Sequence, residues 1–171
     1  GLGFAPSGAR RFARVTPEIT QLIFIHVGSG LRREFMIEYC ALLAFEPHLH
    51  PSLAHGGRFP PKLPRGLSYR ADTDEALARS LDKVEEDLPD LTDWLQASAT
   101  LEGFMRGYEA RLKDESEGIL RNGHTAFTLA CGSAAGGDMK SAKAHLDQAF
   151  ADFRDIHRSF IDQFPAHDHW A

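Results

Sequence analysis

Nine histidines stand in this sequence, and five of them fall in two short stretches that also hold carboxylates. His48, His50 and His55 follow Glu46, while His167 and His169 flank Asp168, so a His-x-His pair occurs twice. Neutral imidazoles are good zinc ligands, and a site with three protein ligands keeps a position open for water, as a metal-dependent hydrolase requires. His48, His50 and His55 are therefore the candidate metal set, with Glu46 or Asp168 as a further ligand. The opposing reading is that of exposed histidines, because both stretches look like loop or tail and metal ligands are usually carried by rigid elements.

Other patterns offer less. Glu34 and Glu38 lie four apart on an extended segment, which places them on one face but about 13 Å apart, too far for a glycosidase pair. They read as the solvent side of a sheet or as cross-strand partners of the first arginines. Gly28-Ser29-Gly30 follows an apolar run as a phosphate loop would, but Arg32-Arg33 and another extended run follow it where a helix N-terminus is needed. Cys131 with His124 or His145 would make a nucleophile and base only if the thiol were exposed, and its neighbours Leu129, Ala130 and Ala134 indicate a packed helix face. No G-x-S-x-G elbow occurs. No convergent catalytic set emerges, so the reading leans away from an enzyme, and no cofactor is implied.

The elements that must carry these side chains begin with Ile19 to Val27, rich in β-branched and aromatic residues that favour an extended backbone. Arg33 to Leu43 resumes that pattern, with Phe35, Ile37, Tyr39, Ala41 and Leu43 on one face and Glu34, Met36, Glu38 and Cys40 on the other. The two runs predict an antiparallel hairpin. Residues 3–16 predict an opening strand with a turn at Pro6-Ser7-Gly8, which makes a three-strand meander. The Pro-rich stretch 46–66 predicts a long loop, and Leu67 to Arg70 a short further strand. Thr73 or Asp72 then caps a helix whose apolar stripe is Leu77, Leu81, Val84 and Leu88, ended or kinked by Pro89, and Leu91, Trp94 and Leu95 continue the apolar face in a short second segment. A short helix spans Thr100 to Tyr108. Two longer ones follow, with a break expected at Asn122-Gly123, a turn at Gly136-Gly137, and an apolar face of Met139, Ala142, Leu146, Ala149, Phe150, Phe153, Ile156, His157 and Phe160.

At 171 residues the chain predicts a single α+β domain, 1–171, sheet-rich over residues 1–70 and helical over residues 71–171. An antiparallel sheet of three to four strands, one face covered by helices from 73–163, is the expected architecture. No apolar run reaches the roughly 18 residues that cross a bilayer, and no signal peptide is visible, so a cytoplasmic protein without membrane attachment is expected. The chain starts at Gly1 without a methionine, which indicates that a segment of the natural N-terminus is missing. Cys40 and Cys131 lack CxxC spacing and read as thiols kept reduced by their compartment.

Charge is unevenly distributed. Residues 1–70 carry 9 Lys and Arg against 4 Asp and Glu, whereas residues 71–171 carry 10 against 20. Glu85, Glu86, Asp87, Asp90 and Asp93 concentrate the acidity and form the candidate docking surface for another protein, a basic one by complementarity. Arg10, Arg11, Arg14, Arg32, Arg33, Arg58, Lys62, Arg65 and Arg70, with Phe12, Phe59 and Tyr69 to stack, would suit single-stranded nucleic acid. The acidic half and the lack of a recognition motif weigh against that alternative.

Two resemblances add to this. Leu129-Ala130, Gly137-Asp138, Ala142, Leu146 and Ala149 have the spacing of one tetratricopeptide-like helical hairpin over about 124–153, a pair rather than a stacked array. Gly3-Phe4, Gly8 and Phe12, then two strands, a Pro-containing loop and a helix ending near Leu88-Pro89 with Leu101 beyond, resemble over about 2–109 a bacterial family known as domain of unknown function 4304. That resemblance implies an α+β build, carries no catalytic residue across, and by analogy with small bacterial domains implies an immunity-like or adaptor protein.

Overall fold

The computed structural model describes residues 2–28, 33–46, 56–59, 68–113 and 119–163, with the backbone alone for 111, 119–122 and 160–163. Among the described residues there are six strands and four helices: β1 Ala5–Gly8, β2 Arg11–Val15, β3 Ile19–Val27, β4 Glu34–Leu43, β5 Gly56–Phe59, β6 Tyr69–Arg70, α1 Asp74–Ala97, α2 Leu101–Leu112, α3 Ile119–Ala135 and α4 Met139–Gln163. The fold is α+β with an antiparallel sheet and a C-terminal helical hairpin. Two compact units divide the chain, Gly1–Thr100 and Leu101–Ala171.

In the first unit the strands run in the order β1-β2-β3-β4-β5, and β6 pairs with the same long β4 at Glu34 and Phe35. The β3–β4 hairpin holds nine residue pairs in register, from Ile19 with Leu43 to Val27 with Phe35. Register and alternation together put Ile37 and Tyr39 on one face, where Phe59, Tyr69, Leu91 and Leu95 complete a buried cluster under α1. Leu22, Cys40 and Leu42 form a second cluster, on the opposite face by the same alternation.

Two strands exceed the expected number. Pro6-Ser7-Gly8 belongs to β1, not to a turn, and residues 9 and 10 turn instead, so the opening segment is itself a hairpin. Pro6 is tolerated because β1 is an edge strand with one side outside the ladder. Within the Pro-rich stretch the proline-free run Gly56–Phe59 forms β5, which pairs with the centre of β4.

Helix α1 starts as expected: Thr73 Oγ1 accepts the Ala76 N–H at 3.1 Å. It does not end at Pro89 but runs on to Ala97. Losing one intrahelical bond to an interior proline costs about 3 kcal/mol. A break there would expose Leu91 and Leu95, which are 4% and 0% accessible, and burying a leucine is worth about 1.5–3 kcal/mol each. The inward stripe is Ala76, Ser80, Val84, Leu91 and Leu95, which keeps Val84, Leu91 and Leu95 from the expected apolar face and replaces the other three leucines by Ala76 and Ser80. Leu77, Leu81 and Leu88 are 36%, 51% and 42% exposed.

The C-terminal end of α1 has no basic residue in its last turn. The strands supply donors in its place. Arg14 Nη2 and Gln21 Nε2 both donate to the Leu95 carbonyl, at 2.9 and 2.7 Å. Gln21 Nε2 also donates to Ser98 Oγ at 2.8 Å, and Arg14 donates to Gln21 Oε1 through Nε and Nη2. Arg14 further reaches the Leu2 carbonyl at 3.0 Å and lies 5.2 Å above the Phe4 ring. These donors satisfy the Leu95 carbonyl in the last turn of the helix, and Arg14 brings a cation to the negative end of the helix dipole.

In the second unit α3 is continuous through Asn122-Gly123, and Gly123 lies against Phe153 of α4. The α3–α4 turn is a Schellman motif: Asp138 N–H donates to Ser133 O at 2.9 Å and Gly137 N–H to Ala134 O at 3.1 Å, with Gly137 at φ +82°. Asp138 then caps α4 by accepting the Ser141 hydroxyl and N–H, which lower its carboxyl below the ordinary value. Ala142 and Ala149 are buried on α4, while Met139 and Phe150, expected on the apolar face, are exposed.

Cys40 is 1% accessible. Burial, and then the charge of Glu38, push its thiol up to about 12, against a smaller lowering from the Leu22 backbone. Iodoacetamide at pH 8 is expected to leave Cys40 unmodified in the folded protein and to alkylate it in urea, read by peptide mass. Native labelling would show that the sheet opens. Because the folded pKa lies above the unfolded one, this thiol's contribution to stability is complete below the ordinary 9.0 and declines as pH rises toward 12.

Candidate protein-binding surface

Over its 24 residues α1 carries eight acidic side chains, Asp74, Glu75, Asp82, Glu85, Glu86, Asp87, Asp90 and Asp93, against two basic ones, Arg79 and Lys83. Leu77, Leu81 and Leu88, at spacings of four and seven, form one stripe along the helix, and all three are exposed. Helical geometry places Asp74 and Glu85 along the edge of this stripe, with Asp82, Glu86 and Asp93 further round. The surface is thus an apolar ridge with an acidic bank.

The five acidic residues singled out from the sequence do not share one side. Glu85 and Asp93 are exposed and make no ion pair among the described residues. Glu86 and Asp87 share Lys83, at 3.0 and 2.9 Å. Asp87 is turned under the helix, with its side chain 19% accessible and its second oxygen buried. Asp90 is exposed.

The leucine ridge was missed because leucines at helical spacing look like core. The true core stripe includes Ala76 and Ser80, whose small size lets β6 approach. Ser80 Oγ donates to the Arg70 carbonyl at 2.8 Å. The spacing 76, 80, 84, 91, 95 was the available signal, provided alanine and serine were counted as inward residues.

A second polar cluster lies on the sheet. Glu38, 6% accessible, has one carboxylate oxygen 2.7 Å from His26 Nε2 and accepts with the other from Arg58 Nε at 3.0 Å. These residues come from β3, β4 and β5, and the register sets Glu38 opposite both Phe24 and Arg58. The cross-strand partner of Glu38 is therefore an arginine of β5, not one of the first arginines, and the carboxylate does not face solvent. No sequence signal announced this, since the partner sits in the stretch read as loop. Chemically the cluster is a carboxylate held between an imidazole and a guanidinium, with both its oxygens engaged, and it pins three strands together.

No family model, curated protein or solved structure matches this chain.

The candidate metal residues His48, His50 and His55 lie outside the described residues, as do His167 and His169. Among the described residues no group of three or more His, Cys, Asp or Glu side chains could hold a metal, and no helix is long and apolar enough to cross a membrane. Of the basic residues suited to nucleic acid, four described ones are already engaged within the fold. Arg14 is engaged at the end of α1, Arg58 with Glu38, Arg70 with Asp72 and Arg11 with Ser7.

Proposed function

We propose that this chain is a non-catalytic protein-binding domain, immunity-like or adaptor in role, that acts in the cytoplasm by docking a basic protein on α1. The observation that carries the reading is the exposed leucine ridge beside the acidic bank. Apolar surface supplies affinity and the acidic bank supplies steering and discrimination among partners. The complementary partner presents an apolar stripe flanked by lysine or arginine. The resemblance of residues 2–109 to domain of unknown function 4304 agrees with this class of role.

A labelled amphipathic helical peptide of leucine and lysine is the test probe, read by fluorescence anisotropy, with its leucine-glutamate counterpart as control. Binding of the basic peptide alone is expected, and it weakens as the Debye length falls from about 10 Å at 0.1 M salt to about 3 Å at 1 M. Glu85→Lys with Asp93→Lys is expected to weaken low-salt binding about tenfold, and Leu81→Ser to weaken it at every salt concentration. Equal binding of both peptides, or no effect of these substitutions, would rule out α1 as the docking surface.

A further inference from the structure

Helix α4 carries a second exposed apolar stripe. Met139 and Phe150 are 67% and 65% exposed, and Leu146 between them is half-buried. Their spacings of seven and four put all three on one line along the helix, so they form a continuous patch and not scattered surface residues. Lys140, Lys143, Arg154 and Arg158 are all exposed, and helical geometry sets the four on the same side of that line. Asp147 stands among them and is held by Lys143 at 2.6 Å. Where α1 is an apolar ridge with an acidic bank, α4 is an apolar stripe with a basic one.

The two lines match position by position when the helices run antiparallel. Leu77, Leu81 and Leu88 are separated by four and then seven positions; Phe150, Leu146 and Met139, read backwards along α4, are separated by four and then seven as well. Each line spans about 16 Å at 1.5 Å per residue. Facing them sets Leu77 against Phe150, Leu81 against Leu146 and Leu88 against Met139. The same register brings Glu85 within one residue of the level of Lys143, and Asp74 within one residue of the level of Arg154. Handedness fixes the sense. Seen along each right-handed helix from its N-terminus, the charged bank lies clockwise of the apolar line on both α1 and α4. Antiparallel facing therefore puts acid and base on one side, whereas parallel facing would put them on opposite sides.

We propose that α4 of one copy of this chain docks antiparallel on α1 of a second copy. The proposal rests on the reading of α1 as a docking surface and names its occupant: α4 has the apolar stripe flanked by lysine and arginine that the acidic bank selects. The contact joins two different faces, so each contact needs only one intact α1 and one intact α4.

Sedimentation velocity of the purified chain, over a concentration series at about 0.1 M salt, is the test. A mass rising above that of a single chain with concentration is expected. Leu81→Ser on α1 and Phe150→Ser on α4 are each expected to raise the dissociation constant at least about tenfold, with thermal midpoints unchanged because both side chains are exposed. A mixture of the two variants is expected to associate where neither does alone, since it restores one intact α1 facing one intact α4. Glu85→Lys and Lys143→Glu are likewise expected to weaken association singly and to recover it when mixed. Association that survives Phe150→Ser, or mixtures that stay dissociated, would overturn the pairing. A single-chain mass at every concentration would overturn it too; the leucine-lysine peptide still binding there would leave α1 standing as a docking surface, and its failure to bind would remove that surface with the pairing.

Discussion

Gly56→Ala is expected to unseat β5 and cost about 3–5 kcal/mol, the range for losing a buried aromatic anchor. A Cβ at this position would overlap the Tyr39 carbonyl oxygen and stand 2.6 Å from the Cys40 Cα. Both are backbone atoms at the centre of β4, which β3 holds in register along its length, so β5 must yield. With it move Phe59, 2% accessible, and Arg58, which holds Glu38. The neighbouring Gly57 gives the internal comparison. A Cβ there meets the Tyr39 hydroxyl at 3.0 Å, a side-chain tip and not backbone, and at a much longer distance than at Gly56, so Gly57→Ala is expected to cost only about 1 kcal/mol. Urea denaturation of the two variants measures the contrast, and equal losses would show that β5 does not sit against β4 as described.

Gln21→Leu is the second substitution with a large expected effect, about 2–4 kcal/mol from the partners it strands, although it places an apolar residue at a site 1% accessible. Hydrophobic patterning alone would favour the change. The loss arises because Gln21 links the Arg14 guanidinium, the Leu95 carbonyl and Ser98 Oγ. Leucine leaves these groups desolvated with fewer partners, at about 1–3 kcal/mol each. Arg14→Met in the same background is expected to cost less than the sum of the two single changes, since both remove one network. Stabilities within about 0.5 kcal/mol of wild type for Gln21→Leu would show that the strands do not serve as the cap of α1.

Both effects depend on groups whose partners are remote in sequence, and that marks the limit of what the chain revealed directly. The alternation of Phe35, Ile37, Tyr39, Ala41 and Leu43 was legible because strand period is a local property, two residues per repeat. So was the Thr73 cap, which needs only three residues, and the Gly136-Gly137 turn, where glycine relieves a positive φ. The acidity of α1 was legible as composition. Pro89 misled because a local penalty of about 3 kcal/mol was outweighed by burial of Leu91 and Leu95 on the sheet-facing side. The leucine ridge was hidden for a related reason: Leu77, Leu81 and Leu88 have core periodicity, and only the approach of β6 to Ala76 and Ser80 turns them outward.

By itself, then, the amino-acid order determined the α+β class, the β3–β4 hairpin with its two faces and the acidity of one helix. Strand alternation and helix composition are set by residues a few positions apart, and the β3–β4 pairing by a single short connection between two neighbouring strands. Tertiary structure alone decided that β5 arises from within a Pro-rich stretch, that Glu38 is buried between His26 and Arg58, that Arg14 and Gln21 close the end of α1, and that Ser80 of α1 donates to the Arg70 carbonyl of β6. Those pairings join segments separated by ten to eighty-one positions. Chain-closure entropy depends only weakly on such separations, so packing, not sequence proximity, selects the partners.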